Sequence, residues 1–147
     1  VLTVVAGVLA VLMLSGIIAG VVLYNRAAAP DRSAPDVVVD NYLRAFLVDR
    51  NDTRADLFTC KGGADLQAVR DLRLEVEQRE SKFHVTVRVS WGPLTRTPSR
   101  DGESVGTTLI IAGSADGVPR SSRREDWLFN VVEDDDGWRV CGGTRAG

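Results

Sequence analysis

Between Val1 and Tyr24 the chain carries no Asp, Glu, Lys, Arg or His. Wound as a helix at ~1.5 Å per residue, such a stretch is roughly 36 Å long, enough to cross a hydrocarbon core of ~30 Å with some tilt. No polar stripe runs through it to mark a solvent face, which argues against a helix buried in a soluble core. A cleaved secretory signal is the other alternative, since Ala27-Ala28-Ala29 supplies an A-x-A pattern. Signal h-regions are shorter, however, at ~7–15 residues, and Pro30 just past the cut makes a poor peptidase site. We therefore expect a transmembrane helix over residues 1–24 in contact with membrane lipid, a juxtamembrane linker over 25–33 and a globular domain over 34–147. Gly16 and Gly20 have the spacing that lets two membrane helices approach closely, and so offer self-association, although glycine is common in such helices anyway. Because the first residue is Val rather than Met, an upstream segment is expected, and Arg26 and Arg32 alone do not fix orientation.

Of 147 residues, 18 are Lys or Arg and 20 Asp or Glu, for a net charge of −2, so non-specific attraction to nucleic acid gets no support. Beyond the leader and its flank lie 117 residues, Asp31 to Gly147, enough for one domain with a core. A nine-residue linker reaches about 30 Å at most, which keeps that domain near the bilayer.

The two cysteines, Cys60 and Cys141, form no C-x-x-C or His/Cys cluster, so no metal site is expected. In a membrane-tethered domain such a pair points to a disulfide and hence to an oxidising, extracytoplasmic compartment. Two unrelated buried thiols are the alternative. Strand alternation also places Cys141 on the side of Arg139, opposite Trp138 and Val140, unless the strand ends or bulges near Val140.

Ser33-Ala34-Pro35-Asp36 reads as a helix start with Ser33 as cap and Asp36 completing a capping box. Val39, Tyr42, Leu43, Phe46 and Leu47 follow at helical spacing, and the helix is expected to end near Asp49. Asn51-Asp52-Thr53 supplies a second cap, and matches a glycosylation sequon that capping explains equally well. A short helix ends at Cys60, and a third helical piece spans Ala64 to Arg70. From there the period changes to two. Leu72, Leu74 and Val76 read as a half-buried strand, turned near Glu80 and Ser81 into a second strand with Phe83, Val85, Val87, Val89 and Trp91 inward. Gly92 to Ser104 reads as a long loop, Val105 to Ala112 as a strand, Gly113 to Arg124 as a polar loop, Glu125 to Glu133 as a strand, and Trp138 to Cys141 as the last one after an Asp136-Gly137 turn. The fold class is α+β, about three helices packed on an antiparallel sheet of about five strands.

This order of elements, with the amphipathic helix around Asp40-Asn41-Tyr42-Leu43, Cys60 closing the second helix and Trp138 to Cys141 closing the chain, resembles the nuclear transport factor two-like superfamily. The resemblance covers roughly Asp36 to Gly142. It implies a cone in which a strongly bent sheet wraps around the long first helix. With the leader in front, it looks most like single-pass envelope proteins of actinobacteria, including those associated with mammalian-cell-entry lipid transporters.

Enzymes of that superfamily, such as ketosteroid isomerase, place Asp, Tyr or His inside the cone. The sole histidine here, His84, falls on the polar face of its expected strand, and Tyr42 on the apolar stripe reads first as core. No G-x-S-x-G, P-loop or dinucleotide fingerprint is present, and no cofactor is expected. Tyr42, Trp91, Trp127 and Trp138 are the pocket candidates, with filled core as the plainer reading. Arg120, Arg123 and Arg124 offer an anion patch, or simply a solvated loop given Glu125 and Asp126. Glu133 to Asp136 fails calcium-loop spacing because Val132 takes the first position. The expectation is thus a non-enzymatic, membrane-anchored domain outside the cytoplasmic membrane, acting by protein–protein contact in an envelope complex. The alternatives are a cone pocket for a small apolar ligand or lipid, and an enzyme of the ketosteroid isomerase type.

Overall fold

A computed structural model describes residues 2–147, with the side chains of residues 2, 3 and 25–28 outside the description. The chain divides into two units, Val1–Pro30 and Asp31–Gly147. The first holds helix α1 (Leu2–Ala28), which runs past Tyr24 into the stretch read as linker. Its span Val4–Tyr24, with mean hydropathy 2.6 and no part buried, is long and apolar enough to cross a membrane. Nothing lies within 4 Å of where a side chain at Gly16 or Gly20 would begin.

In the second unit α2 (Pro35–Leu43) continues through a π-helical turn, Arg44–Val48. Its N-cap is Ala34 and not Ser33, whose N–H instead donates to the Asp31 carboxylate at 3.1 Å. Pro35, which needs no partner for its nitrogen, fills the first position, and Asp36 sits in the first turn, where an anion suits the helix dipole. Asn51 caps α3 (Asp52–Asp56) by accepting from the Arg54 N–H at 3.0 Å.

The largest departure from the sequence reading is α4 (Gln67–Phe83), which absorbs both the stretch taken as the first strand and the hairpin near Glu80. Leu72 and Val76 are buried as expected, but with Val69 they lie at i, i+3 and i+7, one helical face, and Leu74 points to solvent at 53% exposure. Alternation over three apolar positions is too short to separate the two periods, and the surrounding Gln, Arg, Glu and Lys favour helix. Arg73 and Glu77 form an i, i+4 ion pair at 2.9 Å. Phe83 accordingly ends the helix, 61% exposed, rather than facing the core, and His84 closes it in the left-handed region at φ 51°.

Five strands follow: β1 (Thr86–Trp91), β2 (Thr95–Ser99), β3 (Gly102–Ala115), β4 (Val118–Asp134) and β5 (Gly137–Arg145). All pairs are antiparallel, in the order β1-β3-β4-β5, with β2 also on β3. Two expected loops are therefore mostly strand. Pro98 lies in β2, an exposed edge strand that tolerates a missing donor. The supposed polar loop from Gly113 is the tip of one long β3–β4 hairpin, turned by Asp116 and Gly117, both at positive φ (51° and 75°), as a two-residue hairpin turn demands.

The β4–β5 register shifts between Asn130 and Val131, whose partners are Gly142 and Val140, so Cys141 faces no residue and bulges out. That releases it to the Cys60 sulfur; the two are joined in a disulfide with Cα atoms 5.0 Å apart. Segment 58–65 lies alongside as an added parallel edge: Cys60 N–H donates to Val140 O at 3.0 Å, Val140 N–H to Phe58 O at 2.8 Å and Asp65 N–H to Cys141 O at 2.8 Å. The disulfide and this ladder together cover the β5 edge.

Candidate functional site

Register fixes which side chains of the long hairpin share the inner face. Val105, Thr107, Leu109 and Ile111 of β3 sit opposite Phe129, Trp127, Glu125 and Arg123 of β4. All four β3 residues are buried, as are Trp127 and Phe129. Against them pack Val38, Val39, Tyr42 and Leu43 of α2 and Val69, Leu72 and Val76 of α4. Trp127, at 1% exposure, is the largest fully enclosed side chain. The cone is closed by its own side chains.

The inner face turns from apolar to charged along β4. Arg123 donates two hydrogen bonds to Glu75 of α4, at 2.5 and 3.0 Å, and its Nε lies 2.9 Å from Glu125. The second Glu125 oxygen accepts from Arg145 of β5 at 3.0 Å and from the Trp127 indole at 3.2 Å. The Arg145 guanidinium also lies over the Trp127 ring, 5.3 Å from its centre. Two carboxylates and two guanidinium groups from three elements therefore cap the packed aromatic core. The Arg123 hydrogen bonds hold the Glu75 carboxyl below its ordinary range. In the sequence the polar run from Gly113 to Arg124 masks this network; alternation through Arg123, Glu125 and Trp127 is the signal that carries it. Arg120 and Arg124 point outward, so the expected basic trio is split across two faces.

Of the four pocket candidates, Tyr42 and Trp127 belong to the packed core, and Trp91 and Trp138 pack against it from its ends. Trp91, half-buried at the end of β1, donates its indole N–H to Asp40 of α2 at 2.8 Å. Trp138 lies near the start of β5, opposite Glu133 of β4, and donates its backbone N–H to Arg32 O at 2.9 Å. Tyr42 stacks on Phe46, ring centres 5.6 Å apart and planes within 8°. At the acidic tip, Asp134 and Asp136 pair with Arg139, which is 3% exposed and also donates to the carbonyls of Leu57 and Thr59. That tip is a structural clamp on the chain leading to Cys60. Among the described residues no group of three or more His, Cys, Asp or Glu is arranged to hold a metal.

Open space lies outside the packed interior. A cleft of about 580 Å³ runs between the end of α2, α3 and the first turns of α4, and no strand contributes to it. Its floor is the Tyr42–Phe46 stack, and Arg73, 4.8 Å from the Phe46 ring centre, is held there by Asp52 and Glu77. Burial pushes the Tyr42 phenol well above its ordinary pKa, so it stays protonated. A second hollow of about 690 Å³ borders the free edge of β1, where Glu80, held by Arg50 at 2.7 Å, accepts the Val87 N–H at 2.9 Å.

No family model matches the chain, and no curated protein does. Among solved structures it is similar to Aln2 from a Streptomyces species, with a TM-score of 0.54 at 13% identity over 79% of this chain and 94% of that one. It is also similar to an uncharacterised protein with a cystatin-like fold from Caulobacter vibrioides, with a TM-score of 0.50 at 16% identity over 75% and 85%. A third likeness is to Rv3472, a function-unknown protein from Mycobacterium tuberculosis, with a TM-score of 0.50 at 10% identity over 75% and 69%. These likenesses define the fold of residues 31–147: an α+β cone of the cystatin-like kind. At such identities they speak to fold and not to activity.

Proposed function

We propose that this chain is a membrane-anchored accessory domain that acts outside the cytoplasmic membrane by contact with a protein partner in an envelope complex, without catalysing a reaction. One observation carries the reading: the inner face, where an open cone would receive a ligand, is occupied by Trp127, Tyr42, Phe129, Leu43 and Leu72, each at 2% exposure or less, under the Glu75–Arg123–Glu125–Arg145 cap. A lipid or apolar ligand would have to displace those side chains, at several kcal/mol for each well-packed aromatic. For an enzyme, an ionisable group facing an interior void is needed. His84 is instead exposed at a helix end, and buried Arg139 is consumed by the Asp134 clamp.

The α1 span supports the anchor, and the Cys60–Cys141 disulfide supports an oxidising compartment. The likeness to single-pass envelope proteins of the mammalian-cell-entry type, and pairing of two α1 helices through Gly16 and Gly20, belong to this same proposal. The test is photo-crosslinking in cells from outward apolar positions, Phe83 at 61% and Leu128 at 45% exposure. The proposal expects a discrete adduct with another envelope protein from at least one position. Absence of adducts from both, with a lipid or small apolar molecule released stoichiometrically on denaturation, would overturn it in favour of a ligand carrier.

A further inference from the structure

The cleft among α2, α3 and α4 goes beyond the contact reading, since it leaves opposite charges unanswered around one buried phenol. Tyr42 is 2% exposed and borders the cleft; its hydroxyl pairs with no described residue and is not among the fully buried unpaired atoms, so it opens onto the cleft. A phenol hydroxyl at the mouth of a cleft can donate to an acceptor on a bound molecule. On α4, Arg70 meets no carboxylate among the described residues and is steadied only by the Gln67 side-chain oxygen, at 3.1 and 3.2 Å. On α3, the Asp56 side chain meets no cation among the described residues; its backbone carbonyl accepts from the Thr59 hydroxyl and backbone N–H. Arg70 and Asp56 act on the Tyr42 phenol with opposite sign.

The other charges of the cleft are already committed: Arg73 is shared by Asp52 and Glu77, and Asp71 accepts from the Gln67 amide at 2.8 Å. Four carboxylates and two guanidinium groups border the space, so a simple anion would be repelled by the surplus. A simple cation would leave Arg70 and the phenol without an acceptor. Between them, Phe46, Leu66 and Ala55 supply an apolar wall. We infer that this cleft binds a small zwitterion whose carboxylate is taken by Arg70 and the Tyr42 hydroxyl and whose ammonium is taken by Asp56, with an apolar body between, an α-amino acid being the simplest case.

The test uses the full chain in detergent micelles and calorimetric titration with four probes: leucine, N-acetyl-leucine, leucinamide and the dipeptide leucyl-leucine. Leucine is expected to bind, and each blocked form to bind about tenfold more weakly, the size of one lost charge-assisted hydrogen bond. Arg70→Gln is expected to abolish the preference for leucine over leucinamide, and Asp56→Asn the preference over N-acetyl-leucine. Both side chains are exposed, so neither change threatens the fold. Tyr42→Phe keeps the stacked ring and is expected to weaken leucine binding severalfold without moving the unliganded melting temperature of the micellar protein. Tighter binding of leucine than of the dipeptide identifies a free amino acid as the source, and the reverse identifies a peptide. Blocked and free forms binding alike, or no binding of either zwitterion, would overturn the inference while leaving the partner-contact proposal untouched.

Discussion

Arg123 of β4 forks its guanidinium onto the Glu75 carboxylate of α4, tying the sheet to the helix that fills it. The pair gives the first prediction. Arg123 hydrogen bonding holds the folded Glu75 pKa below the unfolded value, so its contribution is fully present above the ordinary glutamate range and is lost as pH falls through the folded pKa. Glu75 is 43% exposed, and solvent screening limits the effect to about 1 kcal/mol. Urea midpoints of the wild type and Arg123→Gln should differ at neutral pH and converge below the glutamate range. Glu80, also held low by its Arg50 hydrogen bond, titrates in both proteins and cancels. A gap that persists into acid would mean that Arg123 contributes by packing alone.

Helix α4 supplies a sharper mutational contrast. Leu72→Ala should cost about 2–5 kcal/mol, as for a buried leucine truncated in a close-packed core, because Leu72 is fully buried. Leu74→Ala, on the solvent side, should stay within about 0.5 kcal/mol. Equal losses at both positions, measured by chemical denaturation, would restore the strand reading of this stretch.

That stretch shows what the residues made legible. The amphipathic stripe of α2, the Asn51 cap, the apolar middles of β3 and β4 and the last strand all carry strong local signals, and the helix-on-sheet class follows from them. From Leu72 to Val76 three alternating positions satisfy both a strand and a helix, and the flanking helix formers together with the buried stripe through Val69 decide for helix. The Asp116-Gly117 turn was readable from its dipeptide but was submerged in a polar run, and with it went the inward placement of Arg123. The cleft was not readable at all: it joins Tyr42, Asp56 and Arg70 from three helices, and only their packing brings them together.

The disulfide gives the third prediction. Cys60 and Cys141 are 81 residues apart, and in the chain-entropy model closing such a loop stabilises by about 4–5 kcal/mol. Reduction, or the double change Cys60→Ser and Cys141→Ser, should lower the urea midpoint accordingly. Hydrogen exchange should rise first at the Cys60, Asp65 and Gly143 amides, whose partners lie across the clamped edge. Uniform loosening of the whole sheet would contradict this.

A single glycine marks how closely α4 approaches β5. A side-chain carbon at Gly143 would come within 2.9 Å of both the Phe129 ring and the Val69 methyl, from opposite elements. Gly143→Ala should therefore cost about 1–3 kcal/mol through overpacking. Gly92→Ala, where nothing lies within 4 Å, serves as the control and should change the thermal midpoint little.

The most direct measurement of the account as a whole is topology in intact cells: protease added from outside, together with thiol labelling of Cys60 and Cys141 before and after reductant. The proposal that α1 holds residues 31–147 on the oxidising side predicts that they are digested and that both sulfurs label only once reduced. A protected domain whose cysteines label without reductant would contradict the account.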